Sequence, residues 1–305
     1  MHNCALNCTI NCTLSVTSTI LKLQKVTSIP TFILGLLVNI YVFVIFSRRP
    51  RKEWTNMMIY ITNMAIADSV VLVILPIMTY YYNVELHKDL MVICNILLSI
   101  YYVNMYVSIF TVTAISVVRY IAIRFPLKAR ETLSRRSALV VCALIWLVIV
   151  CICPVYFLKD SSNDKTMCFQ RVRESLSLHF ILLLALVGFL LPFLIVLFCS
   201  IRVICTLRKQ LDVGFRFEKL QCMFIIAANL IVFVICFLPI HCGFLLKYIA
   251  QAHEFSCDAQ VFAHNFVHGA MCVSIMNCGL DSFSYYFASK TTWNVCGRNE
   301  RNESL

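Results

Sequence analysis

A few residues in this chain stand where apolar neighbours make them costly. Asp68 lies in NMAIAD and Asp281 in NCGLDSFSYYF, each within a long apolar run. Asn39, Ser108 and Asn277 interrupt similar runs. Polar and ionisable groups in hydrocarbon face inward and find partners. These five could therefore gather around water or a monovalent cation, or form a hydrogen-bonded cluster with no ion. Arg119 closes another run, in SVVRYIAIRF, with Tyr120 beside it. A guanidinium at that point is placed to meet something on the aqueous side. Enzymatic chemistry is not indicated. No HExxH or GxSxG stretch occurs, and the two carboxylates are not arranged with a nucleophile.

The elements that hold these residues follow from composition. The 305 residues are 60% hydrophobic and only 13% charged, against about 25% charged in soluble domains. Apolar runs of membrane-spanning length occupy about 26–46, 57–81, 92–118, 137–158, 178–204, 221–246 and 262–287. Backbone polar groups must pair internally in lipid, so each run must be a helix. The last is the most polar, with His264, His268, Asn277 and Asp281. The expected fold is an all-α membrane protein, a bundle of seven transmembrane helices. Residues 1–25 form an outer N-terminus, 26–287 the bundle and 288–305 a short cytoplasmic tail.

Most of the 26 lysines and arginines fall on one side, including Arg48 to Lys52, Arg124 to Arg136 and Arg202 to Lys219. That side is cytoplasmic by the positive-inside rule, which puts the N-terminus outside. The net charge of +11 thus reflects topology and contact with anionic lipid, not nucleic acid. Met1 to Gln24 lacks a basic start followed by an apolar core, so the first span is expected to serve as the targeting signal. Asn7 and Asn11 head two glycosylation sequons on the outer side. A bridge between Cys94 and Cys168 would pin the longest outer loop over the bundle. Cys257 could pair with Cys4, Cys8 or Cys12. Prolines at 76, 154, 192 and 239 interrupt spans and permit kinks.

Taken in order, Asn39 in GLLVN, Asp68, Cys94, VRY at 118–120, Trp146, Cys168, Pro192 in FLLP, CFLP at 236–239 and DSFSY at 281–285 resemble the landmarks of rhodopsin-type G-protein coupled receptors. The resemblance covers essentially the whole chain. Within the family the wording is most similar to the receptors numbered thirty-five and fifty-five, the kynurenate and lysophosphatidylinositol group. It implies a multi-pass receptor of the plasma membrane with no enzymatic activity. The implied partners are a heterotrimeric G protein of inhibitory or G12/13 type and a small acidic ligand, with no cofactor beyond an allosteric sodium ion at Asp68. Outward movement of the sixth helix would expose Arg119 and Tyr120 to the G protein. Tyr285 and Asp281 would rearrange, and Phe237 beside Pro239 would transmit ligand contact. The family places a carboxylate before the arginine, where this chain has Val118. The resting state is therefore expected to be less favoured and basal signalling raised.

The seventh run has no lysine for a retinal Schiff base and the third no carboxylate for an amine, which sets opsins and amine receptors aside. The outer half is rich in aromatics. Lys247, two turns beyond Pro239, is the expected anion anchor, joined by Arg171, Arg173, Tyr101, Tyr102, Met105 and His241. Two cation positions of the relatives are Met78 and Met105 here, which favours a lysophospholipid over a small diacid. The alternatives are a receptor-like protein with high basal or no ligand-driven signalling and, further off, a transporter; no inverted repeat supports the latter.

Overall fold

The computed structural model describes residues 16–82, 88–158, 169, 178–209 and 216–281. The described segments are helical almost throughout. The first four long helices are Ser18–Ser47, Asn56–Tyr81, Lys88–Arg124 and Arg135–Leu158. The fifth runs Leu178–Leu183, Leu184–Leu190 and Leu191–Lys209; the sixth is Arg216–Ala252 and the seventh Cys257–Ile275. After a turn at Met276 the seventh resumes through Asp281. A short helix, Pro126–Thr132, lies between the third and fourth, with proline at its first turn, where a missing N–H costs nothing.

The helices outrun the apolar stretches in the sequence. The third, with 37 residues, is about 55 Å long, more than the roughly 30 Å hydrocarbon core requires. Its polar ends therefore reach both aqueous faces. Six of the described helices are long and apolar enough to cross a membrane. The seventh falls short of that measure because His264, Asn265, His268 and Asp258 dilute it. Burial explains how such residues are tolerated: His264, Asn265 and His268 all face inward.

The third helix is the hub. It packs on the second, fourth and fifth, while the first packs on the second and seventh and the sixth on the fifth and seventh. Buried polar bonds lock this arrangement. Trp146 Nε1 donates to Asn63 Oδ1 at 2.8 Å, and Asn63 Nδ2 donates to Thr111 Oγ1 at 3.0 Å. One amide thus ties the second, third and fourth helices. Asn39 Nδ2 donates to the carbonyls of Gly35 at 2.8 Å and Cys278 at 3.0 Å, joining the first helix to the seventh.

Leu184–Leu190 is π-helical. Pro192 follows it, and the Leu191 N–H bonds back to the carbonyl of Leu186. The wider turn shifts the register of the outer fifth helix, a device common at functional sites. Pro30, Pro76 and Pro239 lie inside helices.

Candidate functional site

The polar residues gather at three depths. At one end of the bundle, His264 and His268 stand one turn apart on the seventh helix, their ring centroids 4.5 Å apart. Tyr82, at the end of the second helix, hydrogen-bonds through its hydroxyl to Nδ1 of His268. Its ring stacks on Phe169 at 5.8 Å, the residue after Cys168 in the chain. Phe169 holds a φ of 67°, a left-handed conformation that side chains seldom adopt. Lys247 comes from the sixth helix, close enough for its charge to act on both imidazoles. His264 is wholly buried, and neither ring nitrogen has a hydrogen-bond partner. An unmade hydrogen bond in a dry interior costs about 1–3 kcal/mol, and this imidazole leaves one N–H and one lone pair unmet.

Beneath it lies an aromatic and apolar layer. Tyr101, Tyr102 and Met105 are buried, and Tyr102 meets Phe244 at 5.8 Å. Tyr106 Oη and His241 Nε2 are 3.2 Å apart. The other ring nitrogen of His241, Nδ1, lies 2.7 Å from the carbonyl oxygen of Phe237. A carbonyl only accepts, so Nδ1 carries the proton and Tyr106 donates to Nε2. Phe189, in the π-helical stretch, stacks on His241 at 4.6 Å. Phe233 meets Phe237 edge-on at 5.2 Å. Gly188 makes room for this layer, since a Cβ there would come within 2.8 Å of Tyr106 Cε1. An unbroken path of rings therefore runs from the third and fifth helices to Phe237, half a turn before Pro239.

At mid-depth, Asp68, Asn277 and Asp281 come together with Asn104 and Cys278, and the buried Ser108 stands one turn from Asn104 on the third helix. Asn104 and Cys278 lie beside Asp68, and Asp281 is close enough for the two carboxyl charges to interact. Asn277 Nδ2 donates to Asp281 Oδ2 at 2.6 Å, and Asn104 Nδ2 to Cys278 Sγ at 3.5 Å. Both Asp68 oxygens, Ser108 Oγ, Asn104 Oδ1 and Asn277 Oδ1 are buried without hydrogen-bond partners. Asn39 borders the group through its bond to Cys278. Unpaired oxygens around a buried carboxylate are costly, and they form the donor set that suits a hard cation. Among the described residues no three His, Cys, Asp or Glu side chains form a metal cluster, so the set lacks the ligands usual for zinc.

Arg119 stands toward the opposite end of the bundle, nearly buried. It lines a cleft with Ser116, Val196, Cys199, Ser200, Val203, Ile226, Asn229 and Leu230. The free space is about 10 Å³, roughly one water molecule. Both amide atoms of Asn229 are buried there without partners. Next to it, Val203, Leu207, Cys222 and Ile226 form a separate apolar cluster, with Tyr120, Ile123, Ile204 and Met223 packed against it. The third, fifth and sixth helices are thereby sealed together. Val118 belongs to the main core instead.

Of the expected residues, Tyr120 packs in the inner seal and Pro239 is a partly exposed helix residue. Arg171, Arg173, Cys168, Tyr285, Asn7 and Asn11 fall outside the described residues. Cys94 and Cys257 are each disulfide-bonded. Sequence reasoning missed Tyr82, His264, His268, Phe169, Asn104 and Asn229 as site residues. The i, i+4 spacing of His264 and His268, which sets both on one helix face, was the available signal.

Comparison with known proteins agrees with this architecture. Residues 38–285 match the family described as 7 transmembrane receptor (rhodopsin family). G-protein coupled receptor 55 of Mus musculus is 33% identical over 287 residues, 88% of this chain and 86% of that protein. G-protein coupled receptor 35 of Homo sapiens is 34% identical over 261 residues, covering 85% and 81%. Lysophosphatidic acid receptor 6 of Gallus gallus is 30% identical over 275 residues, covering 85% and 88%. These are signalling receptors rather than enzymes, and multi-pass proteins of the plasma membrane. The chain belongs to the rhodopsin family of seven-transmembrane G-protein coupled receptors.

Proposed function

We propose that this receptor takes a small anionic ligand from the outer side, either a lysophospholipid or an aromatic acid, and passes the signal to a heterotrimeric G protein of inhibitory or G12/13 type. The lysine and arginine distribution supports an N-terminus on the outer side. The observation that carries the ligand class is His264, buried with both nitrogens unpaired beside His268 and Lys247. A phosphate or carboxylate supplies an acceptor for the one imidazole N–H of His264 and accepts charge-assisted bonds from an ammonium. Tyr101, Tyr102 and Met105 give the apolar wall below, which suits an acyl chain or a ring. Of the two, a lysophospholipid fits better. Met78 and Met105 are buried and uncharged, leaving no second cation for a diacid at those positions, and one relative is named for lysophosphatidic acid. Arg171 and Arg173 add to the cationic rim in this reading, and a Cys94–Cys168 bridge holds their loop in place.

A sodium ion at Asp68 completes the account. Asp68, Ser108, Asn104 and Asn277 would hold it, supplying oxygen ligands to a monovalent charge that offsets the two carboxylates. One experiment tests both parts. Binding of lysophosphatidic acid, lysophosphatidylinositol and kynurenate to the purified receptor is measured in sodium chloride and in choline chloride. At least one acid binds, sodium alters its affinity, and Asp68→Asn removes the sodium effect. No binding by any acid refutes the ligand class, and a sodium effect retained in Asp68→Asn refutes the ion site.

A further inference from the structure

The seventh helix presents two working faces in the turns that carry the histidine pair. His264 and His268 lie on one. Asn265 and Gly269 lie on the next, about 100° round the helix axis. That second face meets the start of the first helix. Asn265 Oδ1 accepts the backbone N–H of Thr17 at 2.8 Å. The orientation of the amide is fixed, because its Nδ2 donates to the carbonyl of Val261 at 2.8 Å and a carbonyl only accepts. Val16, just before Thr17, is buried in the main core. The Ile20 side chain lies against Gly269, with its Cδ1 3.5 Å from where a Cβ would stand.

Thr17 caps the first helix in extended geometry, φ −67° and ψ 152°, yet its side chain makes no cap bond. Its N–H falls outside the helix's own pairing and is met by a side chain from the far end of the sequence. Deeper in the bundle, Asn39 of the first helix donates to the carbonyl of Cys278 on the seventh. Two amides, one from each helix, thus tie the pair at separate heights. The seventh helix can neither slide along the first nor turn against it without breaking one of these bonds. Groups that recognise a ligand must be held within roughly 10–20° of their productive orientation. The two imidazoles share one continuous helix with Asn265, so the direction in which they face is set where that helix is held. We propose that Asn265 is a positioning residue for His264 and His268. By holding Thr17 it fixes the rotation of the seventh helix, so that both rings meet the acidic group of the ligand. The part played by the ligand rests on the reading given under Proposed function; the clip between Asn265 and Thr17 does not.

Two readouts on the purified full-length chain separate the clip from the ligand. Hydrogen exchange at the imidazole C2 position, followed by mass spectrometry without ligand, reports the surroundings of each ring. Affinities for lysophosphatidic acid and for a monoacylglycerol of the same chain length report recognition. In Asn265→Leu the exchange rates of His264 and His268 change while that of His241 does not. Affinity for the acid falls about 3- to 10-fold, the worth of one net hydrogen bond, and affinity for the neutral lipid holds. Thr17→Pro suits the φ of −67° but lacks the N–H and sets its ring against the amide. It opens the clip from the other side and gives the same result, so the test survives if one variant fails to fold. Ser18→Pro places a proline at the first helical position, where a missing N–H is tolerated, and alters neither readout. The double variant Asn265→Leu/Thr17→Pro is no worse than either single one, because both remove the same contact. Unchanged exchange at both histidines in the two single variants overturns the proposal, whatever the ligand does. Equal loss of the acid and the neutral lipid overturns it too, since that marks general loosening. Shifted exchange in a chain that binds no acid upholds the positioning of the histidines and refutes the ligand reading instead.

Discussion

Replacing Lys247 with alanine is expected to weaken binding of the acidic ligand roughly 10- to 100-fold, while surface expression stays normal. The size follows from a charge-assisted hydrogen bond, about 1.5–3 kcal/mol, with each 1.4 kcal/mol a factor of ten. Lys247 is only half-buried at the outer end of the sixth helix, so its loss leaves the core intact. His264→Ala should act in the same direction but less strongly, because an imidazole contributes a hydrogen bond rather than a fixed charge. The decisive comparison is with a neutral ligand of the same acyl length, such as a monoacylglycerol. Removal of an anion anchor erases the preference for the acid over the neutral lipid. A loss of general packing would weaken both equally. An unchanged preference in Lys247→Ala removes that residue from the site.

The second large effect is expected at the inner mouth. Val118 read alone leads to an arginine without its usual acidic neighbour, and so to high basal signalling. The packing beneath Arg119 leads elsewhere. Val203, Leu207, Cys222 and Ile226 close the gap between the fifth and sixth helices, with Tyr120 and Ile123 of the third against them. In this account burial of apolar surface holds the mouth shut, in place of an ion pair. Ile226→Ala removes a side chain that is 5% exposed. Such truncations cost about 2–5 kcal/mol in a well-packed core. If about 2 kcal/mol of that acts on the closed arrangement alone, the ratio of closed to open falls roughly 30-fold. Ligand-free G-protein activation should rise accordingly. Val118→Asp, which restores the family's carboxylate, should change basal activity by less than about threefold, because packing already restrains the helices. A large fall in Val118→Asp with no rise in Ile226→Ala would show that charge, not packing, sets the resting state.

The sequence made the helices legible for a simple reason. Lipid forbids unpaired backbone groups, so each apolar run could be only one thing. Helix ends were harder to see, because the third and sixth helices continue into charged segments where hydropathy carries no signal. The inward placement of the polar residues was legible for the same reason as the helices: Asn39, Asp68, Ser108, Asn277 and Asp281 are expensive in hydrocarbon, and all five are buried. Asn104 escaped notice among the tyrosines of YYVNMY. His264 and His268 were read as dilution of a span, when their spacing set them on one buried face. The inner seal was invisible to pattern reading, since Val203, Leu207, Cys222 and Ile226 look like any apolar helix residues until the fifth and sixth helices are packed. The π-helical turn at Leu184–Leu190 carries no local sequence mark beyond its proline.

Nucleotide exchange on inhibitory and G12/13-type G proteins, driven by the purified receptor in nanodiscs, tests the central claim most directly. The account predicts low exchange without ligand, a rise with an acidic lysophospholipid, and loss of that rise in Arg119→Ala. Exchange no faster than with empty nanodiscs under every condition, for a chain that still binds the acid, would contradict it.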